Sequence, residues 1–354
     1  MTAAAVAGVL VGTGVTAWQT GAVSLGGREV CWGALSEGEA RRLLDRRIDA
    51  GEDLTHAELP ISDTAPGDYR MGRGMDGTCQ FGPASQGAGD SAQVRLHELD
   101  SRIGSDPTWA NAFLSARLTP LGSTLRGMAS DDHAWLALPE SCVRPGLASG
   151  PTVVDIALEG GNTPDDPDPG KRQAMARAVV RVANAVQARQ GCRPLPEPKP
   201  AEARKRVVAD RDDPAAGCGL APGREPHRAK GDDNAAYFTV PSGGPVRGCT
   251  AIRDGLWSPR LTTVTYPRLA LLFDRASGSE EKRFTHKRGE EEDRGFLRRG
   301  RAVFHTQCHG RSVAFTAENG DAGQWDLRRM FHDYVAAEAQ RLGCGDIDLR
   351  LPRP

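Results

Sequence analysis

The sequence predicts an α+β protein of two tandem related domains, each a small antiparallel sheet with a long helix packed on one face, stapled by disulfides. Three observations lead there. At 354 residues the chain is long for one core and comfortable for two domains of roughly 150 residues. Two stretches echo each other, Val179–Cys192 (VVRVANAVQARQGC) and Tyr334–Cys344 (YVAAEAQRLGC); each carries Arg three residues before its Cys (Arg189, Arg341) and Gly one residue before (Gly191, Gly343). Eight widely spaced cysteines, none in a CxxC pair, fall four to each half.

Net charge is -1, so no global field recruits nucleic acid or anionic lipid. Aromatic residues are 5% of the chain, which leaves the cores to Leu, Val and Ala. Residues 1–25 read as an N-terminal membrane anchor or signal segment. Thr2–Trp18 (TAAAVAGVLVGTGVTAW) has no charge and sits at the lower limit for a spanning helix. Its five strongly apolar residues, Val6, Val9, Leu10, Val11 and Val15, contribute roughly -2 kcal/mol, which Gly and Thr partly cancel. Small residues at Thr20 and Ala22 permit cleavage after Ala22, although a basic region before the apolar run is missing. The expected location is the cell membrane, with one N-terminal anchor and the bulk extracytoplasmic, or secreted if cleaved. An even set of dispersed cysteines in an exported chain reads as disulfides.

The first repeat is assigned to 26–192. Val30-Cys31-Trp32 reads as a short strand, and Ser36 with Glu39 as a capping box opening a helix with Ala40, Leu43, Leu44 and Ile48 on one face. Gly51 ends it, a polar loop follows, and Gly77–Phe81 reads as a strand. Val94–Leu99 alternates at strand period, and Asp106-Pro107 opens a short helix holding Trp109, Phe113 and Leu114. His133–Leu138 and Thr152–Leu158 are strands bracketing Cys142. Asp168-Pro169 caps a helix whose Met175, Val179, Val182 and Val186 share a face, with Arg172, Arg177, Arg181 and Arg189 read as mostly solvated.

Residues 193–214 form a linker: RPLPEPKP favours extended polyproline II, and a charged, poorly patterned stretch follows. The second, shorter repeat is assigned to 215–354. Its first helix is read as replaced by a polar, Gly-rich run after Cys218. Strands are expected around Tyr237–Val240, Leu261–Thr265, Ala302–His305 and Ser312–Thr316. Pro267 opens a short helix with Leu269, Leu272 and Phe273. Lys282–Arg301 reads as an exposed mixed-charge insertion, and Leu327, Phe331, Tyr334, Val335 and Leu342 line the closing helix.

The run Cys31-x-x-x-Leu35-Ser36-x-x-Glu39-Ala40, with Gly77-x-Cys79-x-Phe81 further on, resembles the first half of uncharacterised actinobacterial cell-envelope proteins, often lipoproteins. The resemblance implies a bridge from the strand before the helix to the hairpin after it, and an extracytoplasmic place, but no activity. Duplication behind a membrane segment is similar to membrane-anchored members of the same group; the lipid-attachment Cys of the lipoproteins is absent. Eight cysteines allow 105 pairings. If each half is self-sufficient, their order suggests Cys31–Cys79, Cys142–Cys192, Cys218–Cys249 and Cys308–Cys344.

No catalytic signature is legible: there is no Gly-x-Ser-x-Gly, Ser-x-x-Lys, His-Glu-x-x-His or Walker loop. Asp165, Asp166 and Asp168 lack the register and terminal Glu of a calcium loop. On an extended strand His305 and His309 share a face while Cys308 points away, which disfavours a zinc site. No catalytic, cofactor or metal residue is therefore assigned. The expected function is a non-catalytic binding module of the envelope, its partner another envelope protein, a wall component or a small ligand. The alternative is an envelope hydrolase, metal-assisted through His305 and His309.

Overall fold

A computed structural model of the chain describes residues 29–44, 48–49, 51–62, 75–85, 90–99, 112–115, 117–143, 150–159, 168–199, 205–208, 236–239, 244–253, 256–273, 282–288, 291–298, 300–318 and 327–352. The first half runs β1 (Glu29–Val30), β2 (Leu35–Ser36), α1 (Glu37–Leu44), β3 (Leu54–Ser62), β4 (Asp76–Pro83), β5 (Ala92–Glu98), β6 (Thr119–Pro120), β7 (Gly127–Ala129), β8 (His133–Ala137), β9 (Thr152–Leu158) and α2 (Pro169–Arg189). The second runs β10 (Lys205–Val208), β11 (Ala236–Thr239), β12 (Val246–Arg253), β13 (Leu256–Val264), α3 (Pro267–Ala270), a 3₁₀ turn (Leu271–Phe273), β14 (Lys282–Arg288), β15 (Glu291–Arg298), β16 (Arg301–Cys308), β17 (Arg311–Glu318) and α4 (Leu327–Leu342). The protein is α+β, with antiparallel sheets and few helices.

The first large sheet is seven-stranded, in the order β3-β4-β5-β9-β8-β7-β6. The second is eight-stranded, in the order β10-β11-β12-β13-β17-β16-β15-β14. Setting β10 aside, both lay three strands side by side in chain order, place the last strand next to the third, and return through the other three. Each last strand leads to a helix that crosses back over its own sheet, α2 over β7, β8 and β9, and α4 over β13, β16 and β17.

Both helices end the same way. Gly191 and Gly343 take left-handed φ values of 67° and 71°. Cys192 N–H donates to the Gln187 carbonyl at 2.9 Å, and Cys344 N–H to the Ala339 carbonyl at 2.8 Å. This Schellman closure needs a residue free of Cβ strain at the first position past the helix, which accounts for the repeated Gly-Cys. Disulfides then fasten each end, Cys142–Cys192 and Cys308–Cys344 with Cα separations of 5.8 and 4.9 Å. Cys31–Cys79 ties the N-terminal turn to β4. Cys249 is also disulfide-bonded; its expected partner, Cys218, lies outside the described residues.

A strand turns alternate side chains to opposite faces. On β9, Val154 and Ile156 join the core beneath α2, and Val153 joins a different cluster. On β16, Ala302 and Phe304 lie beneath α4, whereas Val303 belongs to that same third cluster. It unites Trp135, Met128 and Val153 of the first sheet with Val246, Val264, Leu272 and Phe273 of the second half. The order of layers is helix, sheet, sheet, helix. Gly150 and Gly244 mark where the halves approach: a Cβ on Gly150 would stand 2.8 Å from Leu272 Cδ2, and one on Gly244 would collide with Pro120.

Several expectations hold. Asp168 Oδ1 accepts from the Gly170 and Lys171 N–H groups at 2.8 and 3.2 Å, and Pro169 follows. The box at α1 is half formed: Glu39 reaches back to the Ser36 N–H at 3.1 Å, but the Ser36 hydroxyl donates to that carboxylate instead of taking the Glu39 N–H. The remainder need correction. The sheets are not small, because β3, β6, β7, β10, β12 and the β14–β15 hairpin add to the strands expected. The polar loop contains β3, an edge strand whose exposed side chains remove the apolar alternation. The short strands β6 and β7 carry too few residues for a period to register. The mixed-charge insertion is the hairpin β14–β15, with Phe284, Phe296 and Leu297 buried, Asp293 buried and taking a hydrogen bond from Thr306, and Arg283, Glu292 and Arg294 exposed. Lys205–Val208, placed in the linker, pairs with β11. Nor is the proline stretch a free spacer: Leu195 N–H donates to Asn184 Oδ1 at 2.7 Å, and Lys199 N–H to the Leu121 carbonyl at 3.1 Å. Arg172, read as solvated, is buried at 2% exposure. The Asp106-Pro107 helix start, the run after Cys218, Asp165 and Asp166, and the segment 1–25 lie outside the described residues. No described helix is long and apolar enough to cross a membrane.

The shared cluster should couple the halves. Leu272→Ala is expected to cost about 2–5 kcal/mol, the range for a buried Leu truncated to Ala. The whole molecule should still unfold in one urea transition, seen alike by far-UV and near-UV circular dichroism. Two separated transitions, with only one moved by the substitution, would show the halves to be energetically independent.

Candidate functional site beneath the closing helix

Counting along strands and helices from the bridged cysteines puts the two halves in register. Cys79 pairs with Val94 across β4 and β5, as Cys249 pairs with Leu261 across β12 and β13. Two residues further, on the helix side, stand Leu96 and Thr263. Val186 and Val182 lie six and ten residues before Cys192; Glu338 and Tyr334 lie six and ten before Cys344. In the first half these three positions are Leu96, Val182 and Val186, all in one buried apolar cluster. In the second they are Thr263, Tyr334 and Glu338, all buried, with Thr263 hydrogen-bonded to both of the others.

Thr263 Oγ1 donates to Glu338 Oε2 at 2.9 Å. That spends its one proton, so the Tyr334 hydroxyl, 2.8 Å away, donates to Thr263 Oγ1. Arg341, one turn on, grips the carboxylate with two bonds, Nε to Oε1 at 3.0 Å and Nη2 to Oε2 at 2.8 Å. Arg247, from β12, pairs with Oε1 through Nη1. Glu338 is only 3% exposed, whereas the Arg247 and Arg341 side chains are 28% and 36% exposed. Burial lowers the pKa of both guanidiniums from the usual Arg value, and for Arg247 the nearby Arg341 charge adds to it. Burial likewise pushes the Tyr334 phenol up to about 12. The arrangement is a fixed acid flanked by two cations at the solvent boundary: it can hold charge and donate hydrogen bonds.

A second polar cluster occupies the sheet-facing side of the first sheet. Asp155 on β9 is fully buried and receives Arg95 Nε and Nη2 at 3.3 and 3.1 Å and His97 Nε2 at 2.8 Å. Burial alone would raise the Asp155 carboxyl; the His97 bond and the His97 and Arg95 charges outweigh it and hold the carboxyl below its ordinary value. His133 is pushed down by burial, and its Nδ1–H donates to the Ala112 carbonyl at 3.0 Å. Phe113 sets its ring edgewise to His133, centroids 5.3 Å apart. A third, Arg260–Glu318–Arg301, crosses the inner face of the second sheet; burial first and Arg301 second lower the Arg260 guanidinium to about 10.

The predicted residues fall differently. All described cysteines are bridged, three pairs as their order suggested. His305 and His309 do not share a face. His305 pairs with Ala314 on the side facing the first sheet. His309 leaves the strand with φ 50°, and its ring lies beside Gly343 at the end of α4. The left-handed turn breaks the alternation on which the common face depended. Among the described residues no group of three or more His, Cys, Asp or Glu could hold a metal ion. The Glu338 network went unread because Tyr334 also suits an apolar helix face and Glu338 an exposed one. Setting the two Gly-Cys helices in register would have found it, since Val186 falls against Glu338.

Two outcomes test these electrostatics. The folded-state pKa of Tyr334 lies above the unfolded value near 10. Its stability contribution is thus intact below pH ~10 and is lost as pH rises towards 12. Tyr334→Phe should flatten that alkaline decline in urea melts. Asp155 has the opposite sign: its stabilisation is present above the unfolded carboxyl value and is lost as pH falls through the lower folded one. His97→Ala should therefore move the acid unfolding midpoint to higher pH; an unchanged midpoint would mean that the His97 bond does not hold the carboxyl down. Compared with known proteins, the chain matches no family model, and neither the curated proteins nor the solved structures contain a match.

Proposed function

We propose that the chain is an extracytoplasmic binding module of the cell envelope, made of two tandem related α+β units and attached to the membrane through residues 1–25 alone. The observation that carries this reading is the placement of the half-cystines. Each described bridge joins a helix end or the N-terminal turn to a sheet strand or the turn beyond it. Structural bridges of this kind persist where the surroundings are oxidising. The common strand order and the matching Gly-Cys closures support the duplication. The resemblance of Cys31–Phe81 to uncharacterised actinobacterial envelope proteins agrees in compartment. Binding is favoured over catalysis because the buried acids are held by arginines and hydroxyls, which suits fixed recognition. The partner is an envelope protein, a wall component or a small ligand.

A non-reducing peptide map of the protein recovered from its own envelope fraction, with its N-terminal mass, tests the reading. The three bridges and Cys218–Cys249 should appear, and reduction should lower stability by up to about 4 kcal/mol per bridge. Recovery of eight alkylatable thiols would remove the extracytoplasmic assignment.

A further inference from the structure

We infer that Arg247 and Arg341 form a receptor for an oxyanion, a phosphate or carboxylate group on a small ligand, at the solvent edge of α4. The inference deepens the binding-module reading and rests on it.

The fold does not require this network. The same three positions in the first half are Leu96, Val182 and Val186, and they pack without a polar atom. Replacing a buried ion pair by apolar side chains of similar size is often neutral or stabilising, so stability alone does not account for Thr263, Tyr334 and Glu338. What the polar version adds is a pair of positioned cations. Glu338 is the acid that both guanidiniums contact, so two positive charges face one negative charge. The carboxylate is buried, but both arginines reach solvent. A guanidinium has five N–H groups; among the described residues Arg341 spends two on Glu338 and Arg247 one, which leaves donors for a further acceptor.

The first half shows what this position takes up. Arg189, in register with Arg341, donates through Nη2 to the Trp32 carbonyl oxygen at 3.1 Å. Gly77, in register with Arg247, lies against the Trp32 ring; a Cβ there would stand 3.0 Å from Cζ2. In the first half the turn after Cys31 supplies that oxygen; its counterpart after Cys218 lies outside the described residues, and among those described a second arginine, Arg247, stands near Arg341. Charged hydrogen bonds from paired guanidiniums favour an oxyanion, and Tyr334 with Thr263 keeps Glu338, and through it the arginines, in position.

The test uses the full chain with its bridges intact. Thermal unfolding and titration calorimetry are run with inorganic phosphate, with acetate and with chloride at equal ionic strength. A saturable rise in Tm is expected with phosphate or acetate beyond that of chloride, and the anion that gives it identifies the ligand group. Arg247→Gln and Arg341→Gln should each weaken binding at least tenfold; Arg298→Gln, on another strand, should leave it unchanged. Because losing an arginine can unsettle Glu338, Arg247→Lys is the companion variant: it keeps a cation beside Glu338 and should bind more tightly than Arg247→Gln, though less tightly than the parent. Parent protein that responds to phosphate and acetate no more than to chloride overturns the inference, as does an unchanged response in folded Arg247→Gln. Bridges mapped as proposed without an anion response would remove the receptor alone. An anion response from a protein with free thiols would remove the envelope reading and leave the receptor standing.

Discussion

Every layer here follows from one constraint: a sheet has two faces, and a single helix covers only one. In each half a long helix lies over one face, and its alternating neighbours leave Trp135, Val153, Val264 and Val303 pointing the other way. Had those residues faced water, each half would have carried an apolar wall several strands wide. At roughly 25 cal/mol per Å² of apolar surface removed from water, mutual covering is the largest gain open to the pair. The two sheets therefore close on each other, and the close approaches at Gly150 and Gly244 are where the backbone admits that contact.

The bridges complement this arrangement instead of replacing it. A helix laid across a sheet is most easily lost at its free end, where the last carbonyls have no helical partner. Here that end is closed by Gly191 or Gly343 and fastened by the cysteine that follows. The sheet faces hold the layers from within, and sulfur holds the rims from without. A low aromatic content, which limits the area each side chain can bury, makes the second device more valuable.

What could be read from the sequence tracks the physics of each signal. Cysteine order reported three of the pairings because bridges within compact units join neighbours along the chain. Asp168-Pro169 reported a helix start because cap and Pro act locally. Strands buried on both faces, such as Thr152–Leu158, showed as apolar runs with correct bounds. Strands at or next to an edge did not: β3, β14 and β15 carry exposed side chains, and their charges look like loops. The pairing of the two sheets was also invisible, since period-two alternation of Trp135, Ala137, Val153 and Val303 names no partner for the second face. Of the candidate site only the arginine before each Cys was noticed, and its role was not legible, because Arg189 and Arg341 differ in what they meet rather than in what they are.

That difference carries the functional argument. Two helix–sheet seams of like geometry lie in one molecule, so each serves as a control for the other. One is closed with Leu96, Val182 and Val186, which shows that the geometry can be filled by carbon alone. The other sets a carboxylate, a phenol and a hydroxyl into the same places and then needs two arginines to compensate the charge. Desolvating an acid inside a seam costs several kcal/mol that the pairing must recover. The polar seam thus meets, at an electrostatic cost, a structural demand that the apolar seam beside it meets with carbon alone.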